Sequence, residues 1–115
     1  MPLMKMQLSV VVPPEKKKAL LAECSRILAE VTGKPERYVM ITLETAEFLM
    51  AGAPGPAAFV DIRGIGGLTK SVNARLSQAV GDLLQREFSI DPARVYLNFF
   101  DVAAQNWGHN DKTFG

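Results

Sequence analysis

The feature that most constrains the fold of this chain is a pattern of strand, long helix and strand that occurs twice. Shifting the first half by 57 positions, the spacing from Pro35 to Pro92, also aligns Arg37 with Arg94 and overlays KPERYVMI on DPARVYLN. A helix that joins two parallel strands of one sheet makes a right-handed βαβ unit. The repeat therefore predicts a two-layer α/β sandwich, in which one four-stranded mixed sheet carries both helices on one face.

The boundaries of the repeat follow from hydrophobic periodicity and from turn residues. We expect pseudo-repeats at about 2–44 and 58–101 and a tail at 102–115, all in a single domain 1–115. The loop ETAEFLMAGAPGP between them should contain a short helical turn at most. The predicted elements are strands at Leu3–Val12, Tyr38–Leu43, Ala58–Arg63 and Val95–Phe100, and helices from Pro13-Pro14-Glu15 to Gly33 and from about Thr69 to Phe88.

Charge and cysteine content exclude several classes of function. Thirteen basic and twelve acidic side chains leave a net charge of +1, which predicts no nucleic-acid or membrane partner. Cys24 is the only cysteine, so no intramolecular disulfide forms, and its place on an apolar helix stripe favours a buried, inert thiol. His109 has no cysteine or carboxylate at a metal-binding spacing, so no metal site is expected. Without a signal peptide or an apolar span, we expect a cytoplasmic protein, and leaderless secretion stays open.

One face of the predicted sheet has no cover. The period of two in VYLNFF places Tyr96, Asn98 and Phe100 together on a face that the helices do not reach. An aromatic face of this kind is expected to pack against another protein surface. A second copy of the chain is the simplest cover, and the polar tail AAQNWGHNDKTFG is predicted to add a short edge strand to a neighbour.

Pro2 is the first candidate for chemistry. Directly behind Met1, it can simply begin a strand, because a proline lacks the N–H that a sheet needs. If Met1 is removed, the ring nitrogen becomes a basic secondary amine. Burial or a nearby cation would lower the pKa of such an amine, and it would then serve as a general base near neutral pH.

Three further features each have a structural and a functional interpretation. Lys34 follows a helix end, where a cation is stabilised by the helix dipole, or it anchors a substrate carboxylate. The glycines around Ile65 make a tight turn, or they free backbone N–H groups for an anion. Tyr96 and Asn98 pack between subunits, or they line a pocket with an aromatic wall and an amide donor.

Taken together, these residues resemble the macrophage migration inhibitory factor family of the tautomerase superfamily over essentially the whole chain. The resemblance rests on four stretches: MP at the start, TGKPERYVMI, the GIGG turn that leads to Asn73, and DPARVYLNFFDVAAQNWGHNDKTFG at the end. It implies a homotrimer whose sheets form a barrel-like arrangement, with a site at each subunit boundary. Pro2 resembles the catalytic N-terminal proline, Lys34 and the Ile65 N–H resemble carboxylate binders, and Tyr96 and Asn98 resemble contributions from the adjacent subunit.

The resemblance also implies an activity. It is a keto–enol tautomerisation of phenylpyruvate-like aromatic α-keto acids and dopachrome-like compounds, with no cofactor. The alternative is a cytokine-like protein that binds a protein receptor and keeps a weak or vestigial activity. Ala57 and Val60 replace the Cys-x-x-Cys pair of the animal cytokines, so no thiol-oxidoreductase activity is expected. Trp107 and His109 also depart from the animal pattern, at the expected rim of the pocket.

Overall fold

The computed structural model describes all 115 residues. Two strand–helix–strand units share a four-stranded sheet in the order β2-β1-β3-β4. The outer pairs β1–β2 and β3–β4 are parallel, and the central pair β1–β3 is antiparallel. The main elements are β1 Leu3–Leu8, α1 Pro14–Thr32, β2 Met40–Thr45, β3 Ala58–Gly64, α2 Lys70–Phe88 and β4 Val95–Asp101, and the tail adds β5 Gly108–His109 and β6 Lys112–Thr113.

The mixed sheet and the two-layer arrangement that the sequence predicts are confirmed. The core is one apolar cluster between the helices and one face of the sheet. Every second residue of β1 and β3 points into it, which is the alternation expected when only one face of a strand is covered. The fully buried side chains that join the two layers include Met4, Met6, Leu28, Val60, Ile62, Leu76 and Leu84.

The structural repeat is slightly shorter than the sequence alignment suggests. Leu3 pairs with Met40 in the first unit and Phe59 pairs with Tyr96 in the second, all on the open face, so the strands are related by a shift of 56 residues. The helices Pro14–Thr32 and Lys70–Phe88 are related by a shift of 56. The turns before the outer strands, Glu36–Tyr38 and Pro92–Arg94, keep the shift of 56, so the shift of 57 that aligns the prolines is one residue too long.

Both helices end at a residue in the left-handed backbone region. Gly33, with φ 72°, terminates α1 and donates its N–H to the Ala29 carbonyl, as the sequence predicts. Helix α2 begins at Thr69, whose hydroxyl accepts the Val72 N–H at 3.2 Å and caps the first turn. Ser89, with φ 57°, ends it. The direction of the chain after α1 places Lys34 at the end of the sheet where β1 begins.

Two predicted strand boundaries are wrong. Strand β1 ends at Leu8 rather than Val12, because the pairing with β2 and β3 ends there except for one bond, which the Ser9 N–H donates to the Ala57 carbonyl at 3.1 Å. Strand β2 begins at Met40 rather than Tyr38. The segment Glu36–Tyr38 forms a 3-10 turn instead, in which the Tyr38 N–H donates to the Pro35 carbonyl at 3.1 Å.

The tail folds on its own chain. β5 and β6 pair with each other as a hairpin. Asn110 and Asp111 make its turn with φ values of 53° and 64°, the geometry that two-residue hairpin loops prefer. The addition of a tail strand to a neighbouring subunit stays a prediction. The loop between Thr45 and Ala58 contains no helix.

The second face of the sheet is open, as predicted. Tyr96 is 66% exposed and Phe100 57% exposed. The strand register places twelve side chains on this face in three rows: Met40, Leu3, Arg63 and Phe100; Thr42, Lys5, Asp61 and Asn98; Glu44, Gln7, Phe59 and Tyr96. Neither helix is long and apolar enough to cross a membrane.

Candidate active site

A cavity of about 610 Å³ lies at the end of the sheet where β1 begins. The start of β1, the 3-10 turn before β2, the end of β3 and the folded tail enclose it, so four separate parts of the chain meet there. No aspartate or glutamate lines it. The side chains that matter for its chemistry are Pro2, Arg37, Tyr38, Arg63, Trp107 and His109.

Pro2 is buried in the wall of this cavity. Its carbonyl accepts the Met40 N–H at 3.1 Å, which continues the parallel pairing of β1 with β2 by one more bond. The next residue, Leu3, is paired on both sides, with Met40 and with Arg63. A group attached here is therefore held by the sheet, and it lacks the freedom of an ordinary chain terminus.

Lys34 lies beside this position. Its ammonium Nζ donates to the carbonyl oxygen of Ile65 at 3.2 Å. Gly67, with φ 84°, allows this approach, because a Cβ there would lie only 3.3 Å from the Lys34 Cε. The structure thus brings Lys34 and the Ile65 turn together at the Pro2 end of the sheet.

The charge of Lys34 affects the terminal amine. The pKa of the Met1 amine lies below its ordinary value of 8.0, first because the group is partly buried and second because the Lys34 ammonium is near. Both effects disfavour the protonated form. The site therefore favours a neutral amine.

The turn after β3 is held by a carboxylate. Asp101 accepts the Gly66 N–H at 2.7 Å, and the Val102 N–H donates to the Gly64 carbonyl at 2.7 Å. The Ile65 N–H between them has no acceptor within the chain. The Ile65 N–H therefore remains as a donor for an anion, on the same residue whose carbonyl Lys34 contacts.

Tyr96 and Asn98 do not reach this cavity in their own chain. The register places Tyr96 in the row of Gln7, four residues along β1 from Leu3, and β3 lies between β1 and β4. Tyr96 is thus about 13 Å along the strands and about 10 Å across them from the Pro2 end. Neither side chain lines the cavity of its own chain, and their contribution from an adjacent subunit stays a prediction.

The tail supplies an aromatic wall that the sequence does not predict in this form. The rings of His109 and Phe114 are stacked, with centroids 5.5 Å apart, and the Tyr38 ring meets both edge-on at 6.4 and 6.5 Å. The Phe114 N–H donates to the Trp107 carbonyl at 3.1 Å and holds the hairpin against the cavity. The Asn110-Asp111 turn is the sequence signal that indicates this folded tail.

Comparison with known proteins decides the family. A family model described as macrophage migration inhibitory factor matches residues 1–115, the whole chain. The chain belongs to the macrophage migration inhibitory factor family. The resemblance inferred from MP, TGKPERYVMI and the GIGG turn is therefore confirmed.

Relatives of this migration inhibitory factor family member are widespread. The factor of Rattus norvegicus is 33% identical over 95 residues, which cover 82% of this chain and 83% of that protein. The homologue from Prochlorococcus marinus has a crystal structure with a TM-score of 0.92 at 36% identity, and the alignment covers 98% of this chain and 99% of the other. A more distant protein, solved after inactivation by 2-oxo-3-pentynoate, shares the fold with a TM-score of 0.83 at 22% identity, covering 94% and 91% of the two chains.

Proposed function

We propose that this family member is a cofactor-independent keto–enol tautomerase of aryl 2-oxo acids such as phenylpyruvate, with Pro2 as the general base once Met1 is removed. The supporting observation is that Pro2 is buried in a cavity wall and held by the sheet, next to a Met1 amine whose pKa is lowered by burial and by the nearby Lys34 ammonium. Dopachrome-like compounds, which are also flat and carry a carboxylate, form a second substrate group.

The proposed step is a proton transfer between carbon and oxygen. The neutral Pro2 amine takes a proton from carbon 3 of the keto acid, the C–H electrons form the C2–C3 double bond, and the carbonyl electrons move to the ketone oxygen. The protonated amine then delivers the proton to that oxygen, which gives the enol. A base whose pKa lies near the working pH suits both halves of this transfer.

The carboxylate of the substrate needs a fixed anchor. Lys34 offers an ammonium group, and the Ile65 N–H offers a donor that has no acceptor in the chain. A cation and a backbone donor at the end of a strand suit a carboxylate or a developing oxyanion. Anchoring by these groups would hold carbon 3 within reach of Pro2.

The same proposal requires a homotrimer. Tyr96 and Asn98 are exposed and too far from Pro2 in one chain, and the open face of the sheet carries Phe59, Phe100 and Met40 without a cover. Packing this face against further copies would bury it and deliver Tyr96 and Asn98 to the neighbouring cavity. The site would then be incomplete in a monomer.

The test begins with intact mass spectrometry of the natively expressed protein. We expect loss of Met1, and we expect 2-oxo-3-pentynoate, the inactivator of the distant relative, to add to the N-terminal peptide. Replacing Pro2 with glycine should reduce phenylpyruvate turnover at least about tenfold, because a positioned base contributes that much or more. Pro14→Gly, which alters an exposed proline at the start of α1, is the matched control. Retained Met1, or full turnover in Pro2→Gly, would refute the assignment.

The receptor-binding role implied by the family resemblance stays a prediction. It is distinguished from the tautomerase proposal by the Pro2→Gly variant, which should bind a purified receptor as well as the unaltered protein does. The absence of saturable binding to such a receptor would exclude that role and leave the enzymatic proposal unaffected.

A further inference from the structure

Two arginines line the cavity beside Pro2, and only one of them has a carboxylate partner. Arg63 donates from Nε and from a terminal guanidinium nitrogen to one oxygen of Asp61, at 3.3 and 3.2 Å. Its charge is therefore largely balanced. Arg37 makes no salt bridge, and its guanidinium lies over the Tyr38 ring, 4.8 Å from the centroid.

The hydrogen bonding of Arg37 differs from that of Arg94, the arginine that the sequence alignment places opposite it. The sequence repeat aligns it with Arg94, and each lies in a 3-10 turn before an outer strand. The donors of Arg94 have acceptors within the chain. Its guanidinium donates to the carbonyls of Pro56, Ala53 and Met50 and fixes the loop between the units. Arg37 has no such structural role. Its planar group is held on an aromatic ring with its donors directed to no protein acceptor.

The charge of the cavity is one-sided. Its lining contains two guanidinium groups and no acidic side chain, and Lys34 adds a third cation at the Ile65 turn. Lys34 and Ile65 lie outside the cavity lining and Arg37 lies within it, so a carboxylate that Lys34 and Ile65 bind next to the ketone would leave Arg37 unpaired. A planar guanidinium recognises a carboxylate in two-point contact.

We infer that the cavity selects 2-oxo acids that carry a second anionic group at the far end from the ketone, and that Arg37 binds that group. This inference rests on the proposed function and narrows its substrate class to dianions. The aromatic wall of Tyr38 and Trp107 would contact the flat body of the substrate between its two charged ends. Arg37 is thus a specificity-determining residue and takes no part in the proton transfer.

A binding experiment tests the inference without requiring turnover. Trp107 is the only tryptophan and lines the cavity, so its fluorescence reports occupancy. The probes are 4-carboxyphenylacetate, a dianion, and phenylacetate, its monoanionic counterpart. We expect the unaltered protein to bind the dianion about tenfold more tightly, the order expected of one charge-assisted hydrogen bond on an exposed side chain.

Substitutions of Arg37 then test whether this residue causes the preference for the dianion. Arg37→Gln should bring the dianion-to-monoanion ratio close to one while affinity for phenylacetate changes less than about twofold. Arg37→Lys should keep part of the preference, because the charge remains and the two-point contact is lost. Arg26→Gln, an exposed arginine of α1 away from the cavity, is the control and should leave the ratio unchanged. Equal binding of the two probes by the unaltered protein, or an unchanged ratio in Arg37→Gln, would overturn the inference.

Activity separates this inference from the proposed function. The matched substrates are 4-carboxyphenylpyruvate and phenylpyruvate, and the ratio of their kcat/KM values should fall about tenfold in Arg37→Gln. A dianion preference in binding without turnover of either substrate would refute the tautomerase proposal and leave the Arg37 assignment standing. Turnover of phenylpyruvate with no dianion preference would refute the Arg37 assignment alone.

Discussion

Replacing Lys34 with glutamine changes two properties of the site at once. The ammonium donates to the Ile65 carbonyl at 3.2 Å and lowers the pKa of the terminal amine. In the proposed reaction it also binds the substrate carboxylate. Glutamine keeps a similar length and a hydrogen-bond donor, so the substitution removes the charge and leaves most of the packing.

The expected loss of carboxylate binding follows from the type of contact. A hydrogen bond to a charged group contributes about 1.5 to 3 kcal/mol, which corresponds to about a 10- to 100-fold loss in kcat/KM. Lys34 is half-buried and donates to a neutral carbonyl in the free protein, so we expect little loss of fold stability. Thermal unfolding of the variant checks this.

The pH dependence shifts in a defined direction. A base must be neutral to act, and a nearby cation lowers the pKa of an amine, so Lys34 extends activity toward lower pH. Without that charge, the acid limb of the profile of kcat/KM moves to higher pH. At the Met1 amine, burial is the larger of the two causes that lower the pKa. If the Pro2 amine is buried likewise after Met1 is removed, the limb should still lie below the ordinary range of an amine.

The assay is phenylpyruvate tautomerisation followed across pH for the unaltered protein, Lys34→Gln and the control Lys16→Gln, an exposed lysine of α1. Well above the amine pKa the difference due to ionisation should vanish, and only the binding loss should remain. An acid limb that stays in place or moves to lower pH would contradict the role of Lys34 beside the amine. An unchanged kcat/KM at high pH would contradict its role as an anchor.

Two further predictions concern the turn after β3 and the buried thiol. Asp101→Ala removes the acceptor of the Gly66 N–H, so we expect a loss of about 1 kcal/mol in the free energy of unfolding by denaturant titration and a higher KM for phenylpyruvate. An unchanged KM would show that Asp101 does not position the Ile65 turn. Burial, and secondarily Glu23, raises the pKa of the Cys24 thiol to about 12, so native protein at pH 8 should react with a thiol reagent only on unfolding. Rapid labelling of the folded protein would contradict that burial.

The sheet, both helices and their order follow from hydrophobic periodicity and from the repeat, because the alternation in β1 and β3 and the stripes in α1 and α2 are local signals. The end of β1 and the start of β2 cannot be predicted from these local signals. They depend on where the neighbouring strands end and on the 3-10 turn at Glu36–Tyr38.

The candidate site, too, is predicted from the sequence only in part. Lys34 and the Ile65 turn are brought to the Pro2 end of the sheet, as the resemblance implies. Arg37 joins that cavity because its 3-10 turn lies beside the start of β1, and the stacked rings of His109 and Phe114 join it because the tail folds back as a hairpin. Such a contact between distant segments leaves no periodic signal in the sequence. The positions of Tyr96 and Asn98 relative to Pro2 depend on the assembly of several chains.

The two halves of the chain have nearly the same architecture, but only the first half can offer a basic backbone nitrogen. The shift of 56 residues that relates the strands carries Pro2 onto Ala58, which is 3% exposed and lies inside a continuous peptide. Its nitrogen is an amide and has no basicity. A duplicated scaffold of this kind can present a basic backbone nitrogen only where the chain begins, so each copy of the polypeptide supplies one reactive amine however symmetric its fold.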